Sequence, residues 1–163
     1  MHSISFHRWA AIAFAGLIVP LLTHAQDRAN DLAIIVNKAT TYDGVSLADL
    51  QHYFKVEKSK GPDGAKIVLA MQEPGRPERA AALQHIYNMS ESQYADFFVE
   101  ATFTGAVSAP PRAFGSPAAV KKFVADTAGA IGYVRATDVD DSVKELKVDG
   151  KSPGGAGYPI PLK

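Results

Sequence analysis

The stretch that most constrains the fold of this chain spans residues 67–87, where an apolar run, a turn and a helical pattern follow one another. Residues 67–71 are short and uniformly apolar, which predicts a buried strand. Residues 72–75 form a turn signal, and Pro77 suits the first turn of a helix because its missing N–H would have no partner there. The stretch therefore predicts a strand, a tight turn and a helix in direct succession.

Apolar runs and helical patterns alternate in the same way along the rest of the chain. Strands are predicted at residues 31–37, 130–134 and 143–148. Helix starts are predicted where a serine can cap the first turn, at Ser46, Ser90 and Ser116. Strands separated by helices with short connections predict a three-layer α/β/α domain.

Two segments depart from this alternation. Residues 102–115 are predicted to be irregular, because Pro110 and Pro111 exclude a regular helix there. The last segment, residues 149–163, is rich in glycine and proline and is expected to run extended, with Tyr158 and Ile160 docked on the domain.

The amino-terminal residues indicate export. A weakly basic start, an apolar run at residues 9–22 and a small-x-small site at residues 23–25 predict a signal peptide over residues 1–25, and an uncleaved anchor is the alternative. Cleavage leaves residues 26–163 as one periplasmic or secreted domain. The chain contains 0 cysteines, so its stability is expected to come from packing alone.

The charge balance narrows the range of partners. The chain has 17 Lys and Arg against 17 Asp and Glu, a formal net charge of zero. Nucleic-acid binding usually needs a basic excess, so no nucleic-acid partner is expected.

The turn after the strand at 67–71 is the main candidate for a binding site. Free backbone N–H groups and the positive end of a helix dipole point out of such a turn and favour a small anion. Arg76 and Arg79 add positive charge, whereas Glu73 and Glu78 oppose it. Most strand-to-helix turns bind nothing, so the turn alone leaves both interpretations open.

No arrangement of residues points to catalysis. There is no Gly-x-Ser-x-Gly motif, and His52 and His85 fall on separate predicted helices without metal-ligand spacing. The aspartates at 138, 140 and 141 lack the glycine and the distant glutamate of a calcium loop, so a solvated turn is expected. We therefore expect no enzyme activity, no cofactor and no metal site.

Four stretches together follow the order of a known family. They are residues 32–37 with Ser46, Leu47, Leu50 and Phe54; the block at 115–134 containing GAIGYV; the strand at 143–150; and the segment YPIPL at 158–162. In these stretches the chain resembles the periplasmic phosphate-binding proteins of ABC transporters, within the type II periplasmic binding superfamily.

The resemblance implies the fold of one lobe of such a protein and a non-catalytic substrate-binding role linked to ABC-type transport, with phosphate or another small oxyanion as ligand. A family member has two lobes that clamp the ligand, and this chain is about half the expected size. The family's phosphate loop has Ser-Gly-Thr at the helix start, whereas residues 73–78 here are EPGRPE.

The sequence leaves two functions open. The first is an oxyanion-binding module whose expected ligand-binding residues are Gly75, Arg76, Arg79, Asn37, Lys38 and Ser116. Changing Arg76 and Arg79 together is expected to remove anion binding and leave the fold intact. The alternative is an interaction module that has lost its ligand and contacts a membrane transporter, a sensor or a second copy of itself, through apolar residues of the 102–115 segment.

Overall fold

A computed structural model describes residues 27–162 of the protein. Residues 27–29 are helical, and the elements after them are numbered here in chain order. The strands are β1 Leu32–Val36, β2 Gly44–Val45, β3 Val68–Gln72, β4 Arg112–Phe114, β5 Ala130–Arg135 and β6 Lys144–Val148. The helices are α1 Leu47–Phe54, α2 Pro77–Ala82, α3 Glu91–Phe103 and α4 Pro117–Asp126, with a π-helical turn at Leu83–Tyr87 and a 3-10 turn at Ala136–Asp138.

The strands form one mixed sheet in the order β2-β6-β1-β5-β3-β4. Strand β1 runs antiparallel to β5 and β6, whereas β3 runs parallel to both β5 and β4. The carboxyl ends of β3, β4 and β5 therefore share one edge of the sheet with the amino end of β1. We call this row of strand ends, marked by Gln72, Phe114 and Arg135, the upper edge. The term does not refer to an outer strand of the sheet.

The sheet is covered on both faces. The buried strand β1 sends Ile34 into a core with residues of α1, the π-helical turn and α3, and it sends Ile35 into a second core with Val120 and Val124 of α4. Successive side chains of a strand point to opposite faces, so this division places the sheet between two helical layers. The three-layer α/β/α prediction is confirmed.

Each of the three helix starts predicted at a serine is occupied by a serine cap. The Ser46 side chain accepts a hydrogen bond from the Asp49 N–H, and Ser90 forms a reciprocal capping box with Gln93. Ser116 accepts from the Ala119 N–H, and Pro117 follows it at the first helical position. These caps satisfy N–H groups that the first turn of a helix cannot pair internally.

The prediction for residues 102–115 was wrong in part. Helix α3 continues to Phe103, and Arg112–Phe114 form strand β4, which pairs with β3 at the edge of the sheet. The strand has only three residues, and Pro110 and Pro111 directly precede it. So short a stretch beside two prolines cannot be distinguished from a loop by sequence. The strand exists because β3 offers it a backbone partner.

The C-terminal segment docks as expected. The Tyr158 hydroxyl donates to the Leu32 carbonyl at 2.8 Å, the Leu32 N–H donates to the Ile160 carbonyl at 2.9 Å, and Ile160 is fully buried. The predicted signal peptide lies outside the described residues. Within residues 27–162, none of the helices is long and apolar enough to cross a membrane.

The junction between α4 and β5 depends on Gly129. Its φ is +75°, and a Cβ added there would lie 2.1 Å from the Lys66 carbonyl oxygen, so both the backbone and the space require glycine. Gly64 has a similar φ of +77°, but a Cβ there would meet nothing within 4 Å.

We expect Gly129→Ala to lower the free energy of unfolding by about 2–4 kcal/mol, because backbone strain and a clash with main-chain atoms combine. The matched control Gly64→Ala carries the strain without the clash and should cost about 1 kcal/mol. Urea unfolding monitored by circular dichroism measures both. Equal losses in the two variants would contradict the packing argument.

Candidate functional site

The candidate site lies on the upper edge, where β3 turns into α2. The turn is sharp because Gly75 adopts a φ of +87°, a left-handed conformation that glycine tolerates best. Arg76 precedes the helix in an extended conformation, and its side chain makes no capping hydrogen bond to the helix. The first backbone N–H groups of α2 are therefore left without a side-chain cap.

A second helix start lies beside this turn. Helix α4 begins after Ser116, which directly follows strand β4 and Gly115. The Glu73 N–H donates to the Phe114 carbonyl at 3.0 Å, and the Arg76 guanidinium donates to the Gly115 carbonyl. The structure therefore brings together three of the six predicted ligand-binding residues, namely Gly75, Arg76 and Ser116.

Arg79 is buried, although the sequence predicted that it would add positive charge at the turn. Its side chain is 4% exposed, Nη1 donates to the Gln72 carbonyl at 3.0 Å, and Nε donates to Glu91 Oε2 at 2.9 Å. The guanidinium also stacks on the Tyr94 ring at 4.6 Å from its centroid. The hydrogen bond from Arg79 holds the pKa of the Glu91 carboxyl below its usual value. Arg79 is thus a structural cation, and we expect its loss to destabilise the fold.

Asn37 and Lys38 lie at the opposite edge of the sheet. Because β1 runs antiparallel to β5, its carboxyl end meets the amino end of β5, and the Asn37 N–H donates to the Ala130 carbonyl. The Asn37 Nδ2 donates to the carbonyls of Val124 and Ala125 in the last turn of α4. Ser116 caps the other end of this 10-residue helix, a length of about 15 Å. The structure therefore does not bring Asn37 or Lys38 to the turn.

The two glutamates near the turn, Glu73 and Glu78, differ in how strongly they would repel an anion. Glu78 is buried, and its Oε1 lies 3.1 Å from both Nε and Nη2 of Arg135, so its charge is compensated within the chain. Glu73 is exposed and its side chain lies beside Gly115, since a Cβ built on that glycine would be 3.3 Å from Glu73 Oε2. Glu73 is the carboxylate that still opposes an anion here.

Sequence reasoning missed three residues of this edge. Arg135 compensates Glu78, Glu91 neutralises Arg79, and Gln72 is fully buried with its Oε1 unpaired among the described residues. The position of Arg135 could have been predicted from the sequence. It directly follows the predicted strand at 130–134, which ends at the same edge as the strand before the turn. Glu91 carried no such signal, because its pairing with Arg79 depends on how α3 packs.

The histidines and Asp140 lie in separate surroundings. Nδ1 of His52, on α1, lies 2.5 Å from Oε2 of Glu57, which follows the helix. His85 lies in the π-helical turn, where burial lowers its pKa. Asp140 is exposed and pairs with Lys121, which holds the pKa of its carboxyl below the usual range. Among residues 27–162, no group of three or more His, Cys, Asp or Glu side chains could hold a metal ion.

The chain matches no protein-family model and no curated protein. Its fold is similar to that of several solved structures. An ABC-type phosphate transport receptor from Vibrio cholerae is 19% identical, with a TM-score of 0.61 over 76% of this chain and 48% of the receptor. A putative phosphate ABC transporter substrate-binding protein with bound phosphate, from Clostridium perfringens, is 20% identical, with a TM-score of 0.66 over 83% and 55%.

PstS from Borrelia burgdorferi is 15% identical, with a TM-score of 0.61 over 81% of this chain and 54% of that protein. At such identities the similarity establishes the fold. The chain spans about half the length of these solved proteins, which agrees with its resemblance to a single lobe of a phosphate-type substrate-binding protein.

We expect Arg79→Ala to lower the free energy of unfolding by about 2–3 kcal/mol, because it removes a buried guanidinium and leaves the Gln72 carbonyl without its donor. Arg76→Ala should change it by less than about 0.5 kcal/mol, since the Arg76 guanidinium donates to the carbonyl of an exposed glycine, Gly115. Chemical denaturation of the two variants beside the wild type is the measurement. A stable Arg79→Ala variant would show that the cation is not structural.

Proposed function

We propose that the protein is an exported, non-catalytic binding domain that holds a small oxyanion such as phosphate at the upper edge of its sheet. The ligand would lie between the Gly75–Arg76 turn and the start of α4 at Ser116. Of the six residues predicted as ligand-binding, the proposal keeps these three.

The observation that carries the proposal is the joining of two helix starts at one edge. The contacts from Glu73 to Phe114 and from Arg76 to Gly115 hold the turns together, so two positive dipole ends meet there. The start of α2 adds backbone N–H groups that no side chain caps, whereas Ser116 caps the Ala119 N–H of α4. The similarity in fold to an ABC-type phosphate transport receptor and to a putative phosphate ABC transporter substrate-binding protein with bound phosphate supports the same ligand class.

The chemistry of the edge sets the strength of binding. Arg76 is the one guanidinium of the predicted pair that remains near the surface, and Glu78 no longer repels an anion because Arg135 compensates it. An open edge leaves the ligand hydrated on one side, and exposed charge contacts are weak in water. We therefore propose an affinity well below that of a two-lobed clamp.

The proposed setting is the periplasm or the exterior of the cell. It rests on the signal-peptide pattern of residues 1–25 and on the fold shared with ABC-type receptors. A membrane transporter is the partner that this setting suggests, with the domain presenting its ligand to the transporter. No chemical step is assigned to the domain.

Thermal unfolding at constant ionic strength tests the ligand site. We expect phosphate to raise the midpoint in a saturable manner, equivalent to about 2.7 kcal/mol at one hundred times the dissociation constant. Sulfate and molybdate test selectivity, and chloride serves as the salt control.

Arg76→Ala should abolish this response, because it removes the free cation of the site. Lys38→Ala is the matched control, since Lys38 is an exposed cation at the opposite edge and its loss should change nothing. A flat response of the wild type, or an equal loss in both variants, would rule out the proposed site.

Glu73→Gln provides a test in the opposite direction. Removing the uncompensated carboxylate beside the Gly75 turn should tighten phosphate binding about fivefold, because a like charge near a surface costs on the order of 1 kcal/mol. Calorimetric titration with phosphate measures the change. Glu100→Gln, which removes an exposed carboxylate on α3, should leave the affinity unchanged. Weaker binding by the Glu73 variant would mean that this side chain contributes to the site.

A further inference from the structure

A histidine lies where α2 leads into α3. His85 is the middle residue of the π-helical turn Leu83–Tyr87, which continues α2 and leads to the Ser90 cap of α3. The Met89 N–H closes this turn by donating to the Leu83 carbonyl at 3.0 Å. We call residues 83–90 the α2–α3 corner. A π-helical turn is rare and often marks a functional position, so its side chains were searched for unused polar groups.

The imidazole of His85 has a buried nitrogen without a partner. Its Nε2 is inaccessible to solvent and makes no hydrogen bond to any group of residues 27–162. The main chain of His85 is paired, because its carbonyl accepts from Gln51 Nε2 of α1 at 3.2 Å. A neutral ring tolerates this position better than an imidazolium, in which Nε2 would be a charged donor without an acceptor.

The charged groups of the surrounding helices are paired elsewhere or exposed. The turn packs against α1, α2 and α3. The ion pairs are Asp49 with Lys58, His52 with Glu57, Glu78 with Arg135, and Arg79 with Glu91, and the exposed carboxylates of α3 are Asp96 and Glu100. Burial raises the pKa of Tyr53, Tyr87 and Tyr94, so these side chains stay neutral. Within residues 27–162, these helices therefore offer the His85 ring no buried, unpaired carboxylate.

Burial decides which form of His85 the fold prefers. The carboxyl end of a helix favours a cation, which would raise the pKa of a histidine in the last turn. The pKa of His85 is nevertheless lowered by burial, so desolvation outweighs the helix dipole. A lowered pKa in the folded state gives stability that is fully present above about pH 6.5, the ordinary value for histidine. That stability is lost as the pH falls from there through the pKa of the folded protein.

We propose that His85 is an acid-sensitive switch of the α2–α3 corner. While the imidazole is neutral, the corner stays closed around it. A protonated ring carries a charge and an Nε2–H that must both reach water, and this requires the π-helical turn to open. The turn lies between Arg79 and Glu91 in the chain, so its opening also loosens the ion pair that joins α2 to α3. This inference does not depend on the oxyanion site.

Two measurements on the wild type follow the switch directly. In a titration by nuclear magnetic resonance, the assigned ring protons of His85 should change below the ordinary range for histidine. Hydrogen exchange, corrected for the intrinsic effect of pH, should show that the Met89 amide loses protection between about pH 8 and about pH 5. The Leu32 amide, which donates to the Ile160 carbonyl at 2.9 Å, should keep its protection and serves as the internal control.

Urea unfolding over the same pH range separates His85 from other acid-sensitive groups. The wild type should lose stability progressively as the pH falls, and His85→Gln should lose less because the titrating group is gone. His52→Gln is the matched control, since His52 is an exposed histidine of α1 and its removal should leave the acid loss of the wild type unchanged. Circular dichroism at about pH 8 checks that both variants fold.

Three results would overturn the proposal. The first is a His85 ring that titrates at or above the ordinary value for histidine, which the wild type alone decides. The second is a Met89 amide whose protection does not change with pH. The third is an equal acid loss in the wild type and in His85→Gln.

Discussion

The arrangement of the upper edge depends on one buried guanidinium. Arg79 reaches back from the first turns of α2 to the carbonyl that ends β3, and on its other side it binds Glu91 at the start of α3. A single side chain thus joins a strand end to two helices. A buried cation is stable only when its donors are satisfied, so the turn, α2 and α3 must keep their relative positions. The conformation of the Gly75 turn and the position of the α3 surface both follow from this requirement.

The antiparallel pairing of β1 with β5 decides which residues can meet. It places the amino end of β1 beside the carboxyl ends of β3 and β5, so that Arg135 lies near Ala29 and Glu78. It also sends Asn37 to the far edge. In a fully parallel sheet every strand would end at one edge, and Asn37 would then share it with Gly75. Strand direction, rather than residue type, separates the predicted ligand-binding residues into two groups.

Local signals predicted most of the fold, and long-range pairing explains the remainder. Serine caps and apolar periodicity are properties of a few neighbouring residues, so the starts at Ser46, Ser90 and Ser116 followed from the sequence. Strand β4 depends on β3 for its hydrogen bonds, and no local pattern specifies that partner. The site shows the same limit. A charged residue near a turn can bind a ligand or pair with buried groups of the protein. Only the packing of α3 shows that Arg79 pairs with Glu91 and the Gln72 carbonyl.

The consequence for function lies in what a single lobe can supply. A clamp excludes water from both sides of a ligand, which strengthens each charged contact, whereas one edge keeps the ligand partly in bulk dielectric. As a second surface cation, Arg79 could have compensated for the missing lobe, but its guanidinium is buried and paired with Glu91. Backbone N–H groups and Arg76 are then the main attractive features, and Glu73 acts against them. At the proposed site, the affinity for an oxyanion therefore depends on the balance between the attraction of Arg76 and the repulsion of Glu73.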